Sequence, residues 1–183
     1  FEIVSAVRAH LPDANLGIHC HNDAGVAVAN SIAAVAAGAR QVQGTINGIG
    51  ERCGNADLIT LVPNLMLKSG YSTSITEANL PRLMTLSRML DERLNRAPNA
   101  HAPYVGEAAF AHKGGLHASA AQKDPRTYEH VPPEKVGNKR QYLVSDQAGK
   151  SNMMARFADF GIKVAADDPR IDKLIRLVKE REF

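Results

Sequence analysis

The sequence lacks several features that mark particular classes of protein. It has no tryptophan, and its 2 cysteines, Cys20 and Cys53, are too few for a disulfide framework. The longest apolar run, from Val26 to Ala39, is interrupted by polar residues and glycine, so it is too short to span a bilayer. The start of the chain carries neither the basic residues nor the apolar stretch of a signal peptide. These absences predict a reducing, cytoplasmic setting with no membrane partner.

Charge of one sign is also scarce. The 183 residues include 22 Lys and Arg and 19 Asp and Glu, a formal net charge of +3 at neutral pH. The small excess is spread along the chain instead of forming a basic block that would suit a phosphate backbone. We therefore expect no nucleic-acid partner. The remaining composition, 44% hydrophobic and 22% charged, is that of a globular protein able to bury a sizeable core.

Residues 1–70 alternate between predicted strands and helices. In chain order the pattern predicts a helix over 1–10, a strand over 16–21, a helix over 26–37, a strand over 41–46, and a helix over 55–68 that Pro63 bends or splits. This order is typical of parallel βα units, which build α/β folds. Two units cannot close a (β/α)₈ barrel, which needs eight units and roughly 250 residues. We expect either the last two units of such a barrel, cut from a longer polypeptide, or an open α/β sheet.

Residues 71–183 are predicted to form a separate, mostly helical region that carries the basic excess. Amphipathic spacing predicts helices over 76–95, 116–122, 150–160 and 169–181, with a proline-rich connector at 98–103 and a turn-rich stretch at 124–136.

Two histidines flank Cys20 on the first predicted strand. Because side chains alternate along a strand, His19 and His21 share one face, where a single divalent metal could accept both. The alternative is that one ring packs and the other only forms a hydrogen bond. Asp23 is near enough to add a carboxylate, but its place before a helix favours capping.

A glycine-rich loop follows the second predicted strand. It holds 4 glycines within residues 44–55, which lets the backbone approach a ligand closely or adopt positive φ. The glycine spacing is one residue longer than a dinucleotide-binding fingerprint, so that function is not predicted. Glu51 and Arg52 are interpreted as a structural ion pair. Asn55 either caps the next helix or offers its amide oxygen to a metal.

A third segment, from His112 to His117, places two imidazoles and a lysine around a glycine pair. Histidine is the usual proton carrier at neutral pH, so a catalytic role is one interpretation. Tyr128 could add a hydroxyl to the same site, and a packing tyrosine is the ordinary alternative.

Three motifs occur together in this order: His-Cys-His-Asn-Asp at 19–23, Asn-Gly-Ile-Gly-Glu-Arg-Cys-Gly-Asn at 47–55, and Ala-Phe-Ala-His-Lys-Gly-Gly-Leu-His at 109–117. In combination they resemble the 2-isopropylmalate, homocitrate and citramalate synthases. Further stretches, among them Pro-Arg-Thr-Tyr-Glu-His at 125–130, look most like the (R)-citramalate synthase branch. The similarity covers nearly the whole chain.

The resemblance implies a domain division. Residues 1–70 would be the last two βα units of a (β/α)₈ TIM barrel, and residues 71–183 would be the linker subdomains that lead toward a regulatory domain. It also implies a homodimer that forms through the linker region.

The resemblance further implies specific site residues. His19 and His21 would ligate a divalent metal (Mg, Mn or Zn), with Asn55 at or near it. His117 and Tyr128 would belong to a catalytic linker site that reaches the partner subunit's barrel. The family's remaining metal ligand, an aspartate, and its catalytic glutamate lie on barrel strands that this chain does not contain. We therefore expect this polypeptide alone to be inactive and to bind metal weakly.

The implied reaction is a Claisen-type condensation, an acyl transfer in which acetyl-CoA and pyruvate give (R)-citramalate and CoA for isoleucine biosynthesis. Three alternatives remain open. A 2-isopropylmalate synthase would instead use 2-oxoisovalerate for leucine biosynthesis. A metal-dependent hydrolase of the amidohydrolase kind also uses His-x-His on a barrel strand, and residues 71–183 could serve as a non-enzymatic dimerisation module.

Overall fold

The computed structural model describes residues 1–144, 149–165 and 167–181. Its helices are α1 (Glu2–His10), α2 (Ala27–Ala36), α3 (Leu58–Pro63), α4 (Leu83–Arg93), α5 (Gly115–Lys123), α6 (Lys150–Asp159) and α7 (Pro169–Arg181). Its strands are β1 (Gly17–His19), β2 (Gln41–Gln43), β3 (Ala111–His112) and β4 (Gln141–Tyr142). Short 3₁₀ segments lie at Ile46–Gly48, Glu77–Arg82, Glu107–Phe110, Pro125–Thr127 and Pro133–Val136.

Strands β1 and β2 form the parallel pair that the sequence predicts. Ile18 lies opposite Val42, and α2 makes the connection between the two strands. Both strands are shorter than predicted because the backbone of Ala56 inserts between their ends. Its N–H donates to the carbonyl of Cys20 at 2.9 Å, and its carbonyl accepts from the N–H of Thr45 at 3.0 Å. The strand ends therefore separate at the point where the residues of chemical interest begin.

The helix after the glycine-rich loop starts later than predicted. Asp57, not Asn55, is its N-cap residue, and the Asp57 carboxylate accepts from the N–H of Ile59 at 3.0 Å. Burial raises the pKa of Asp57, while hydrogen bonds from Thr60 and from the backbone oppose this shift. The interpretation of Asn55 as a cap is therefore wrong.

Pro63 divides this helix as predicted. Helix α3 ends at Pro63, and the chain continues as a π-helix over Asn64–Lys68. Proline has no N–H to donate to the preceding turn, so the regular hydrogen-bond ladder stops there.

The helix predicted over 76–95 is also divided by a proline. Residues Glu77–Arg82, which contain Pro81, form a 3₁₀ segment, and the regular helix α4 begins only at Leu83. The three other helices predicted in this region correspond to α5, α6 and α7. Strands β3 and β4 were not predicted, because two-residue strands are too short to show alternation.

The main hydrophobic core lies between α3 and residues 80–136. Its buried members are Ile59, Val62, Leu80, Leu83, Tyr104, Val105, Phe110, Val131 and Val136. Helix α1 contributes no buried residue, and Ile3 on it is 80% exposed. Among the described residues, no helix is long and apolar enough to cross a membrane.

Asn47 links the glycine-rich loop to α4. Its side-chain amide donates to the carbonyl of Ser87 and to the carboxylate of Asp91, each at 3.0 Å. Asp91 is buried, so this contact lies at the inner face of α4. The loop that carries Asn55 is therefore fixed to the first regular helix of the second region.

Candidate functional site

Two histidines project from the end of β1. The ring centroids of His19 and His21 are 5.1 Å apart with the rings nearly perpendicular, and both residues are exposed. The prediction that the two rings share one face is confirmed. Cys20, between them, is partly buried on the opposite side.

Asn55 lies beside this pair. It forms an antiparallel bridge with His21, and the N–H of Asn22 donates to the carbonyl of Gly54 at 2.8 Å. The Oδ1 atom of Asn55 is buried and has no hydrogen-bond partner in the described part of the chain. A buried oxygen without a partner costs about 1–3 kcal/mol, and a bound water or ion is one way in which such an atom is satisfied.

The glycine-rich loop determines the position of the Asn55 amide. A Cβ atom on Gly50 would lie 2.6 Å from Asn55 Nδ2, so glycine lets the amide lie directly against the backbone. Gly54 has φ +92°, and a Cβ atom there would lie 2.0 Å from the carbonyl oxygen of Gly48. At Gly54 both the close contact and the positive backbone angle therefore require glycine, and at Gly50 glycine leaves room for the Asn55 amide.

Two imidazoles and one amide oxygen are a chemically reasonable partial ligand set for a divalent metal. Within the described ranges, no group of three or more His, Cys, Asp or Glu side chains could hold a metal ion. His19, His21 and Asn55 thus fit a metal centre as part of its ligands, with at least one more ligand required from outside this group.

Asp23 does not join the histidines and does not cap α2. Its carboxylate pairs with Arg52, with Nε at 2.7 Å and Nη2 at 3.1 Å, and this hydrogen bond lowers the pKa of Asp23. Asn22 instead accepts from the N–H of Ala27 at 3.1 Å. The predicted Glu51–Arg52 pair exists but is loose, at 3.8 Å. These pairs are exposed, so they add little stability.

His117 and Tyr128 are in contact. His117 is exposed in the first turn of α5, and its ring centroid lies 4.3 Å from that of Tyr128, with an angle of 32° between the planes. Tyr128 is 44% exposed. The two side chains form one accessible pair, in which the tyrosine covers a face of the imidazole.

A buried ionic cluster lies behind this pair. The Nε2 atom of His112 is 3.1 Å from the Glu129 carboxylate, and Arg140 donates to both carboxylate oxygens of Glu129 at 2.5 Å. Burial raises the pKa of Glu129, but hydrogen bonds from Arg140 and His112 outweigh that effect, so the net pKa lies below its ordinary value. The sequence reasoning missed Glu129 and Arg140, because nothing in their spacing links them to His112.

Asn152 fixes the backbone around His112. This fully buried side chain donates to the carbonyls of Lys113 at 3.1 Å and Leu143 at 2.9 Å, and accepts from the N–H of Gly149 at 3.2 Å. It therefore joins the segment before α5, the segment after β4 and the start of α6.

The two groups of candidate residues make no direct contact in the part of the chain that the structure describes. In the described segments, no hydrogen bond or ring contact joins His117 or Tyr128 to the group of His19, His21 and Asn55. The structure brings three predicted residues together at the end of β1 and two at the start of α5.

Comparison with known proteins covers both parts of the chain. Residues 1–90 match the HMGL-like family, and residues 104–182 match the homocitrate synthase post-HMGL domain-like family. The (R)-citramalate synthase of Aquifex aeolicus is 53% identical over 100% of this chain and 34% of its own length. The chain belongs to the citramalate, 2-isopropylmalate and homocitrate synthase family.

The similar members of this synthase family are named as two different enzymes. The (R)-citramalate synthase of Synechocystis is 53% identical over 91% of this chain and 30% of its own length. The probable 2-isopropylmalate synthase of Methanopyrus kandleri is 40% identical over 98% of this chain and 34% of its own length. The chain thus spans about a third of these relatives. The predicted α/β fold class, with TIM-barrel units, is confirmed by the HMGL-like match, and that family generally depends on a divalent metal.

Proposed function

We propose that this chain is part of an (R)-citramalate synthase, an acyltransferase that condenses acetyl-CoA with pyruvate. The single observation that carries the choice of keto acid is the difference in identity between relatives. Those named (R)-citramalate synthase reach 53%, whereas the 2-isopropylmalate synthases are 40% identical. Because the similarity covers the whole chain in this family, the hydrolase and non-enzymatic interpretations lose their support.

His19, His21 and Asn55 are the residues of this chain that we propose as metal ligands. The unpartnered Oδ1 atom of Asn55 supports this assignment, because Asn55 pairs with His21 through its backbone and its Oδ1 accepts no hydrogen bond from the described chain. A bound divalent metal would polarise the keto oxygen of the acceptor. The ion can be Mg²⁺, Mn²⁺ or Zn²⁺. A further ligand would come from residues outside this chain, so the isolated polypeptide should bind metal weakly and be inactive.

His117 and Tyr128 are proposed as the proton-handling residues. In the condensation, the acetyl methyl group loses a proton, its carbon bonds to the keto carbon, and water hydrolyses the thioester to release CoA. An exposed imidazole can accept and return such protons at neutral pH, and a phenol hydroxyl can donate a hydrogen bond to developing negative charge. Their contact at 4.3 Å places both groups at one accessible surface.

The separation of the two groups supports a homodimer as the active form. If one protomer supplies His117 and Tyr128 to the metal ligands of its partner, each site is complete only in the dimer. In this proposal residues 1–70 end the catalytic barrel, residues 71–183 form the linker that makes the subunit contact, and the enzyme acts in the cytoplasm in isoleucine biosynthesis.

Free-thiol release from acetyl-CoA tests this function. The full-length polypeptide, meaning the whole synthase of which this chain is proposed to be a part, should release CoA when pyruvate is the acceptor and Mg²⁺ or Mn²⁺ is present. It should release CoA much more slowly with 2-oxoisovalerate. Faster release with 2-oxoisovalerate would make the protein a 2-isopropylmalate synthase, and no release with any keto acid would contradict the proposal.

A variant pair ties this activity to the candidate site. His21→Ala should lower kcat by about 100-fold or more, because it removes a proposed metal ligand. His101→Ala replaces another exposed histidine, in the connector, and should leave the rate unchanged.

A further inference from the structure

The buried residues behind His117 and Tyr128 form a continuous series of contacts. Arg140 grips both oxygens of Glu129, Glu129 contacts the His112 ring nitrogen, and the His112 ring meets Tyr128 edge-on, with centroids 6.3 Å apart. Tyr128 in turn packs against His117 with the two rings tilted by 32°. The series runs from the ion pair of half-buried Arg140 and buried Glu129 to the exposed imidazole.

Burial of this cluster costs free energy, because its charged groups lose their hydration. Glu129 and His112 are 9% and 7% exposed. Replacing such ionic groups by apolar side chains is often neutral or stabilising, so a buried ion pair is weak evidence of a role in stability alone. Its main physical property is fixed geometry, since two parallel hydrogen bonds hold the carboxylate plane of Glu129 against Arg140.

We propose that Glu129, held by Arg140, is a positioning residue that orients the Tyr128–His117 pair through His112. The Glu129 carboxylate accepts a hydrogen bond from the Nε2–H of His112 and thereby fixes the orientation of that ring. The edge of the ring then limits the positions that Tyr128 can adopt. Glu129 and Tyr128 are adjacent in sequence, so the inward carboxylate also anchors the backbone of the outward tyrosine.

The backbone around the cluster is already rigid, which restricts the effect to side-chain orientation. Asn152 holds the carbonyl of Lys113 beside His112, and the N–H groups of Tyr128 and Glu129 both donate to the carbonyl of Pro125, at 3.1 Å and 2.9 Å. Loss of the Glu129 charge should therefore free the rings of His112 and Tyr128 without unfolding the segment.

The direct test measures the His117 ring without using catalysis. In full-length protein labelled with ¹³C at histidine Cε1, the ring of Tyr128 shifts the His117 signal, which is assigned by its loss in His117→Gln. In Glu129→Gln this signal should move toward its position in Tyr128→Leu. The signals of His10 and His101, both exposed and outside the cluster, should remain in place as internal controls.

The matched control variant is Glu77→Gln. Glu77 also pairs with a cation, Lys135 at 2.7 Å, but both side chains are exposed. The same change of charge there should leave the His117 signal unmoved. An unchanged His117 signal in Glu129→Gln, with the other histidine signals intact, would overturn the proposal.

If Glu129→Gln fails to fold, Arg140→Lys supplies the second test. Lysine keeps the positive charge but cannot donate two parallel hydrogen bonds. The His117 signal should then move part of the way, and no movement would likewise overturn the proposal.

The catalytic consequence rests on the proposed function and is measured separately. Glu129→Gln should lower kcat by roughly 10- to 100-fold, because misplacement of a reacting group has effects of that size. KM for pyruvate should change little, since pyruvate binds at the metal residues. Absence of citramalate synthesis in the unmodified protein would contradict the proposed function, while the shift of the His117 signal would still decide the positioning role.

Discussion

The two candidate groups are built in different ways. At the end of β1, backbone geometry sets the site: the Ala56 backbone separates the strands, Gly50 leaves room for the Asn55 amide, and Gly54 lets the loop close against the Gly48 carbonyl. At the start of α5, we propose that side-chain charge sets the site, through the pair of buried Glu129 and half-buried Arg140. A metal site needs ligand atoms at fixed positions, and a proton-handling pair needs a fixed ring orientation. In the proposed function, the backbone would supply the first and the charged network the second.

The largest effect is expected from the addition of one methyl group at Gly54, which tests the role of the backbone at the end of β1. Gly54→Ala should destabilise the protein by several kcal/mol and abolish metal binding, because the new Cβ atom would lie 2.0 Å from the Gly48 carbonyl oxygen. The free energy of unfolding, measured with urea, and Mn²⁺ binding report the two effects.

Gly25→Ala is the matched control for that variant. Gly25 also has positive φ, +72°, but a Cβ atom there would meet no described atom within 4 Å. Gly25→Ala should lower the free energy of unfolding by only about 1–2 kcal/mol, which is the cost of an alanine in the left-handed conformation. Equal losses in the two variants would show that the close approach inside the loop is unimportant.

A pH titration distinguishes the buried charge network from the exposed one. The folded-state pKa of Glu129 lies below the ordinary 4.5, so its ionisation stabilises the fold above that pH. This contribution is lost as the pH falls through the lowered pKa. Glu129→Gln should therefore flatten the decline in stability as the pH falls below 4.5, measured by thermal unfolding.

Asp23→Asn provides the comparison for that titration. The pKa of Asp23 is also lowered, by Arg52, but this pair is exposed, with side chains about half accessible. Exposed pairs contribute little, so the acid profile should keep its shape. A larger change for Asp23→Asn than for Glu129→Gln would contradict the distinction between the two sites.

An effect smaller than that of Gly54→Ala is expected at the contact that joins the two regions. Asn47→Ala removes hydrogen bonds to Ser87 and Asp91 and should lower the free energy of unfolding by about 1–3 kcal/mol, since a buried acceptor loses its partner. Asn95→Ala is the control, because Asn95 also has positive φ, +51°, but is exposed. If both substitutions cost the same, the contact of Asn47 with α4 adds nothing beyond its backbone angle.

The sequence predicts the parts of this molecule that depend on short-range pattern. The alternation that places His19 and His21 on one face, and the break at Pro63, follow from the properties of neighbouring residues. The early end of the strands could not be predicted, because it depends on the Ala56 backbone entering between them from elsewhere in the chain. The cap at Asp57 was missed because Asn55 is an equally good capping residue by type.

The charge network was missed for a related physical reason. His112, Glu129 and Arg140 are separated by 17 and 11 residues and lie on three different segments. No periodicity connects such positions, and their contact depends on the packing of irregular turns. The unpartnered oxygen of Asn55 is likewise visible only in three dimensions, although its residue type suggested a metal.

Mn²⁺ binding to the full-length polypeptide, followed by electron paramagnetic resonance, tests the central claim most directly. The claim is that His19, His21 and Asn55 together hold a divalent metal. Asn55→Ala and His21→Ala should each weaken Mn²⁺ binding by about tenfold or more, and His101→Ala should bind like the unmodified protein. Unchanged Mn²⁺ binding in Asn55→Ala and His21→Ala would contradict the account.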